Sequence, residues 1–216
     1  MSVRCVCFDI GGVLVRICRN WSEGCAAAGL EVRGRTADTD WAGRRRGVAR
    51  DFSEGRIDIA EFSSRLAAAT DNLYSPAEVL KIHNAWLLNE YTGIHTIMDR
   101  LLETPNVDTG ILSNTNDLHW RRNEAFDGLS TFPIMGRPRH RIASHIMQLM
   151  KPDAAIYRAF EKQSGFASRD ILFFDDLEEN IAAARACGWQ AEQIDHTGDT
   201  AAQITRHLIT HGVWSK

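Results

Sequence analysis

No apolar run in this 216-residue sequence approaches the roughly 20 residues that a bilayer span requires, and the first strand-like segment begins almost at once, with no charged leader before it. A membrane span and a cleavable signal are therefore not expected, and a cytoplasmic location is. Cysteine is scarce and unpatterned. Cys5, Cys7, Cys18, Cys25 and Cys187 form an odd set without a C-x-x-C pair, so they read as reduced packing residues rather than a disulfide framework. None of the eight histidines stands in H-x-H or H-E-x-x-H spacing, which leaves a histidine-based zinc site without support, and His145 reads as structural. A surplus of charge is missing too. With 25 Lys+Arg against 28 Asp+Glu, the net charge of -3 provides no general attraction to nucleic acid or anionic membranes, and small substrates remain. Repeats, low-complexity tracts and obvious linkers are absent as well.

What is present is a set of four polar stretches, three of which end a short apolar run. Val-Arg-Cys-Val-Cys-Phe, from residue 3, ends in Asp9 and is followed by Ile10, Gly11 and Gly12. A nearly continuous apolar run suits a parallel strand covered on both faces, and in open α/β sheets ligands sit beyond the carboxyl ends of such strands. Asp9 alone would read first as the cap of a following turn. Its company decides otherwise: Ile111-Leu112-Ser113-Asn114, Lys151-Pro152-Asp153, and Ile171-Leu172-Phe173-Phe174-Asp175-Asp176. If these runs share one sheet, carboxylates, a hydroxyl, an amide and an ammonium converge on one edge. That cluster suits a metal ion and a phosphoryl group.

In this order, nucleophile Asp, Ser/Thr, Lys and acidic pair, the sequence resembles the haloacid dehalogenase-like hydrolase superfamily over nearly its whole length. The resemblance implies an α/β fold with a doubly wound parallel sheet and an inserted all-helical cap. It also implies an aspartyl-phosphate on Asp9, Mg²⁺ as cofactor and a small phosphorylated metabolite as partner. Lys151 would join Asp9 to the phosphate, and Ser113 and Asn114 would donate to phosphoryl oxygens. Asp9, the Gly11 carbonyl, Asp176, Asp175 and Asn180 would form the metal site, with Asp176 chosen over Asp175 as direct ligand. Asn180 could equally be a helix-start residue. Oligomeric state is left open.

The expected division is a core of residues 1–15 and 91–216 around a cap of residues 16–90, read as helices. In the cap, Ser75-Pro76-Ala77-Glu78 is a capping box with proline at the first helical position, and Val79, Ile82, Trp86 and Leu87 follow at helical spacing, so a helix is predicted over 76–89. Another is predicted over 58–69, and one from Trp21 to Ala28. Phe52 to Asp58 resembles the F-x-x-G-x-I turn in caps of sugar-phosphate phosphatases, although a plain helix-helix connection would look the same. Arg44-Arg45-Arg46 reads as a solvated face from which one arginine could reach the substrate. In the core, helices are predicted from Ile94 to Leu102, Asn116 to Phe126, Pro152 to Phe160, Ile181 to Ala186 and Ala201 to Ile209. Strands are predicted over 107–112, 141–144, 171–174 and 190–194.

One departure from the family pattern matters. Most phosphatases of the superfamily carry a second Asp two residues after the nucleophile as general acid, and here that position is Gly11. Some sugar-phosphate phosphatases share this form, so activity is not excluded. A positive-φ backbone at Gly11 is the expected obstacle to restoring the acid. The rivals are a 2-haloacid dehalogenase, whose fourth motif is typically S-S-N-x-x-D rather than F-F-D-D, and a catalytically weak phospho-ligand-binding protein of the same fold. A receiver domain is disfavoured by the long insertion.

Overall fold

The computed structural model describes residues 3–34, 39–125, 128–129 and 131–215. In chain order the elements are β1 (Cys5–Phe8), β2 (Val15–Ile17), α1 (Trp21–Ala27), α2 (Thr39–Ser53), α3 (Ile59–Ala69), α4 (Pro76–Asn84) and β3 (Leu87–Glu90). There follow α5 (Ile94–Glu103), β4 (Asp108–Ser113), α6 (Asp117–Trp120), β5 (His140–Ala143), α7 (Ser144–Met147), α8 (Ala154–Ser164), β6 (Ile171–Asp175), α9 (Glu178–Ala186), β7 (Gln190–Gln193) and α10 (Thr200–Thr210). Five strands form one parallel sheet in the order β5-β4-β1-β6-β7. β1 is central, so Asp9 emerges at the middle of the carboxyl edge, between the ends of β4 and β6.

Both faces of the sheet are covered, and alternation along the strands assigns each side chain to one of them. Val6, Phe8, Ile111, Leu172 and Phe174 pack toward α5 and α10, where Ile94, Met98, Leu101, Ile204 and Leu208 meet them. Cys5, Cys7, Leu112, Ile171 and Phe173 pack toward α8 and α9, against Ile156, Tyr157, Phe160 and Ile181. This is the doubly wound arrangement. All five cysteines are free and buried.

Helices α1 to α4 surround an apolar cluster of their own, including Trp21, Trp41, Phe52, Phe62, Leu66, Tyr74, Val79 and Ile82, to which the α6 residue Leu118 adds. The Ser75–Glu78 capping box forms as expected. The Phe52-to-Asp58 turn meets the sheet domain: Gly55, at φ +68°, lies so close to α7 that an added Cβ would stand 2.4 Å from the His145 carbonyl oxygen. Ser144 Oγ donates to the Ser53 carbonyl at 2.5 Å beside it. A glycine is required there by the approach of two backbones.

The structure corrects three boundaries. The segment 16–90 is not purely helical, because β2 and β3 pair antiparallel where the chain leaves and re-enters the sheet region. Accordingly α4 ends at Asn84, and Leu87 lies in a strand opposite Ile17; its helical spacing from Val79 and Ile82 could not reveal a partner 70 residues away. Residues after Asn116 form one α-helical turn and a 3-10 turn ending at Asn123, shorter than expected, while Phe126 lies outside the described residues. Finally, α8 begins after Pro152, with the Asp153 carboxylate capping the Ala155 N–H at 2.9 Å.

Candidate functional site

The four polar stretches meet at the carboxyl edge. Lys151, with a side chain 1% exposed, places Nζ 2.9 Å from Asp9 Oδ1 and 2.6 Å from Asp175 Oδ2. Its position is set by a reciprocal pair with Asn114, whose Nδ2 donates to the Lys151 carbonyl at 2.8 Å and whose Oδ1 accepts the Lys151 N–H at 2.9 Å. One amide hydrogen of Asn114 is left to offer, so this residue both orients the lysine and can face a ligand. Ser113, at the end of β4, is buried and lines the adjoining cavity.

Asp175 and Asp176 differ sharply in their commitments. Asp175 is fully buried, and its two oxygens accept from the Leu177 N–H, from Lys151 Nζ and from Asn180 Nδ2. Asp176 instead meets Arg19 Nη1 at 2.6 Å, across the site from the start of α1. Gly12 makes this contact possible. At φ +80°, an added Cβ would lie 2.5 Å from Asp176 Oδ2 and 2.6 Å from Arg19 Nη2. The positive φ expected at Gly11 thus falls on Gly12; at Gly11 the obstacle is Ile17, whose Cδ1 would be 2.9 Å from an added Cβ.

Oxygens of Asp9, Asp175 and Asp176 lie within 4.8 Å of one another. Three hard oxygen donors at that spacing suit a divalent cation of the Mg²⁺ type. Asn180 fits as well: its Oδ1 is buried without a hydrogen-bond partner while its Nδ2 holds Asp175. Gly11 stands in the turn beside them and lines the cavity. Burial pushes the Asp9 carboxyl up to about 6; Lys151 pulls against this, and Asp175 and Asp176 add to it. For Lys151 burial works downward, but Asp175 and Asp9 outweigh it and the net shift is upward.

A pH dependence follows from the Asp9 shift. Native Asp9 holds a proton to about 6 against an ordinary 3.8, so between these values the native state binds more protons than the unfolded chain. Its contribution to the stability of the cation-free protein therefore falls as pH rises through that window. The stabilisation by Mg²⁺ is expected to be larger at pH 7 than at pH 4.5, and Asp9→Asn should remove most of that difference. Thermal unfolding at both pH values, with Mg²⁺ or a chelator, measures it; equal Mg²⁺ shifts at both would place the cation away from Asp9.

Beyond the acidic cluster lies a cavity of about 530 Å³ between the sheet edge and helices α1 to α4. Residues that the sequence did not single out shape it. His83 and His119 stack at 4.1 Å with ring planes 9° apart. His83 Nε2 lies 3.2 Å from Asn116 Oδ1, and His119 Nε2 lies 2.8 Å from the His83 carbonyl, an arrangement that puts a proton on each Nε2. Burial pushes His83 down to about 4 and His119 well below its ordinary value, so both are neutral near pH 7 and neither is an acid in waiting. Only the position of His119, three residues after the helix-capping Asn116, hinted at its place; its partner comes from 36 residues away. Arg19 carried no sequence signal, since nothing local announces a contact with Asp176.

Comparison with known proteins completes the picture. The chain is 26% identical over 222 residues to a phosphatase of Mycobacterium tuberculosis, covering 98% of this chain and 96% of that one. Its fold is like that of a HAD family enzyme from Bacteroides thetaiotaomicron solved with magnesium and inorganic phosphate, with TM-score 0.73 and 21% identity over 94% of this chain and 99% of that one. It is also like that of the L-2-haloacid dehalogenase of Xanthobacter autotrophicus, with TM-score 0.64 and 16% identity over 99% and 85% of the respective chains. Residues 3–188 match the family described as haloacid dehalogenase-like hydrolase, and with that match spanning all four polar stretches, the chain belongs to the haloacid dehalogenase-like hydrolase family.

Proposed function

We propose that this chain is a Mg²⁺-dependent phosphatase that hydrolyses a small phosphorylated metabolite of the cytoplasm through an aspartyl-phosphate on Asp9. The observation that carries this reading is the trio of carboxylates around one buried ammonium: Asp9, Asp175 and Asp176 within 4.8 Å, with Lys151 bridging the first two. An Asp9 oxygen attacks phosphorus in line, the P–O bond to the alcohol breaks, and water then cleaves the acyl phosphate to return the carboxylate and release phosphate. Lys151 draws the nucleophile and a phosphoryl oxygen together. Ser113 and the remaining Asn114 N–H donate to the other oxygens. Asp9, Asp176 and the Gly11 carbonyl would hold Mg²⁺ directly, with Asp175 and Asn180 steadying the site, and the ion would offset charge on the phosphoryl group. Asp176 is preferred to Asp175 as ligand because the oxygens of Asp175 are already engaged by Lys151, Asn180 and the Leu177 N–H.

A 2-haloacid dehalogenase reading meets an electrostatic objection. An incoming carboxylate placed for attack by Asp9 would stand beside three carboxylates, with Lys151 already paired to Asp9 and Asp175 and Arg19 to Asp176. A panel of phosphomonoesters and 2-haloacids assayed with Mg²⁺ and with chelator separates the two. Turnover of phosphomonoesters that stops with chelator is expected; turnover of a haloacid in chelator would overturn the proposal.

Gly11 gives the second test. No side chain at that position can protonate the leaving oxygen, and neutral His83 and His119 do not replace it. General acid help is typically worth about 10²- to 10⁴-fold, so its absence weighs most on poor leaving groups. The expected result is that kcat/KM climbs steeply as leaving-group pKa falls, with sugar 1-phosphates ahead of 6-phosphates. A flat series while chemistry limits the rate would show that some other group delivers the proton. Gly11→Asp, combined with Ile17→Val to make room, should flatten the slope.

A further inference from the structure

The arginine triplet on α2 is divided among different surroundings by the 100° turn between successive helical residues. Arg44 pairs with Asp40 and Asp71 at the surface. Arg45 turns inward. Its guanidinium carbon lies 4.8 Å from the centroid of Trp21 and 4.7 Å from that of Trp41. Such contacts engage the π face of a guanidinium and leave its in-plane N–H groups free to donate. Arg45 Nη1 is buried and has no hydrogen-bond partner.

A buried donor without an acceptor is uncommon and costly, most of all on a charged group, and asks for a partner that the described residues do not supply. Arg45 and Trp21 both line the cavity that also exposes Gly11, Ser113 and Asn114. Ala42 and Ala49, one turn to either side of Arg45 on the same face of α2, leave space around it. The lining contains Arg19, Arg45 and Arg46 and, among the described residues, no Asp or Glu. Of these, Arg19 already has its counter-ion in Asp176. Burial also pushes the Arg45 guanidinium below its ordinary value, the state an incoming anion would relieve.

Resting on the phosphatase reading, we propose that the substrate is a phosphomonoester whose alcohol part carries a second anionic group, and that Arg45 binds that group in this cavity. A carboxylate or a second phosphate offers the same in-plane acceptors. Arg45 is a specificity-determining residue in this scheme and takes no part in phosphoryl transfer. The remaining walls, Ile17, Phe62, Leu66, Ile82 and Trp86, would meet a short carbon chain between the two anions.

The test compares ω-carboxyalkyl phosphates of two to five carbons, α,ω-alkanediol bisphosphates and neutral ω-hydroxyalkyl phosphates of equal length. The wild-type protein should favour one anionic series over the neutral one by at least about tenfold in kcat/KM, an effect of about 1.4 kcal/mol, carried by KM. The better of the two anionic series names the group. Arg45→Met should erase the preference while changing neutral substrates less than about threefold, and Arg45→Lys should restore part of it. Loss of activity on all three series together with a lower unfolding temperature would mean that Arg45 only packs α1 against α2, and the proposal would fall. A wild-type enzyme indifferent to the tail would overturn it equally. Non-hydrolysable phosphonate versions of the same series, titrated by tryptophan fluorescence from Trp21 and Trp41, keep the two proposals apart. If no ester is turned over yet the anionic phosphonates bind in an Arg45-dependent way, the phosphatase reading fails and the anion site stands; if esters are hydrolysed without tail preference, the reverse holds.

Discussion

Asp9→Asn is expected to lower kcat by at least about a thousandfold, about 4 kcal/mol of barrier, while leaving the folded protein no less stable than the wild type. The first half follows from chemistry: the amide oxygen is a poor nucleophile, and an acyl phosphate cannot form on it. The second half follows from the environment of the carboxylate. Its side chain is 13% exposed, and burial raises its pKa to about 6 despite Lys151, so near pH 7 the charged form costs more in the native state than in the unfolded chain. Removing the charge should therefore hold or raise the thermal midpoint in chelator. It should also weaken the rise on adding Mg²⁺, because one charged oxygen ligand is lost. Turnover above about a tenth of the wild-type value would exclude Asp9 as nucleophile; a large fall in chelator stability would show that the carboxylate holds the fold rather than the reaction.

Lys151→Met is expected to be the most destabilising single change at this site. The ammonium is 1% exposed and lies between Asp9 and a completely buried Asp175, so its removal strands negative charge where water cannot reach. Breaking a buried pair in this way costs about 3–5 kcal/mol. In a chain of this size that corresponds to a fall of about 6–20 °C in midpoint, with activity lost alongside. The pH signature is specific. Because the folded pKa of Lys151 is raised above its ordinary 10.5, its contribution is fully present below that value and is lost only as pH rises through the higher folded value. The gap between wild type and variant should thus be constant from neutral to mildly alkaline pH, and should narrow in acid as the stranded carboxylates take up protons. Adding Asp175→Asn to Lys151→Met should recover part of the loss. If Lys151→Met keeps the wild-type midpoint at pH 7, the bridge contributes nothing net and Lys151 serves the ligand alone.

Much of this arrangement is legible in the sequence. Apolar runs ending in Asp9, Ser113 and the Asp175-Asp176 pair placed three strand ends together because a parallel sheet delivers all its carboxyl ends to one edge. The capping box at Ser75 is a local event, decided within a few residues, and it is where the sequence implied. The order of the four polar stretches carried the family. None of these inferences needed the distance between residues remote in the chain.

What the tertiary structure alone decided are the pairings between distant segments and the burial that tunes them. The β2–β3 ribbon replaced the last turn of a helix because Leu87 found Ile17 across the chain. Asp175 and Asp176, adjacent and chemically identical, took opposite roles because one points into a closed pocket with Lys151 and Asn180 and the other toward Arg19. Arg44 and Arg45 diverged for the same reason, one meeting surface aspartates and the other two tryptophans beside an apolar cavity. Composition and spacing therefore determined which chemical groups this protein brings to one sheet edge. Which of them are dry, which are paired and which are left open for a ligand depended on the packing of the segment between β2 and β3 over that edge, because solvation and charge pairing are properties of a three-dimensional neighbourhood that local sequence does not encode.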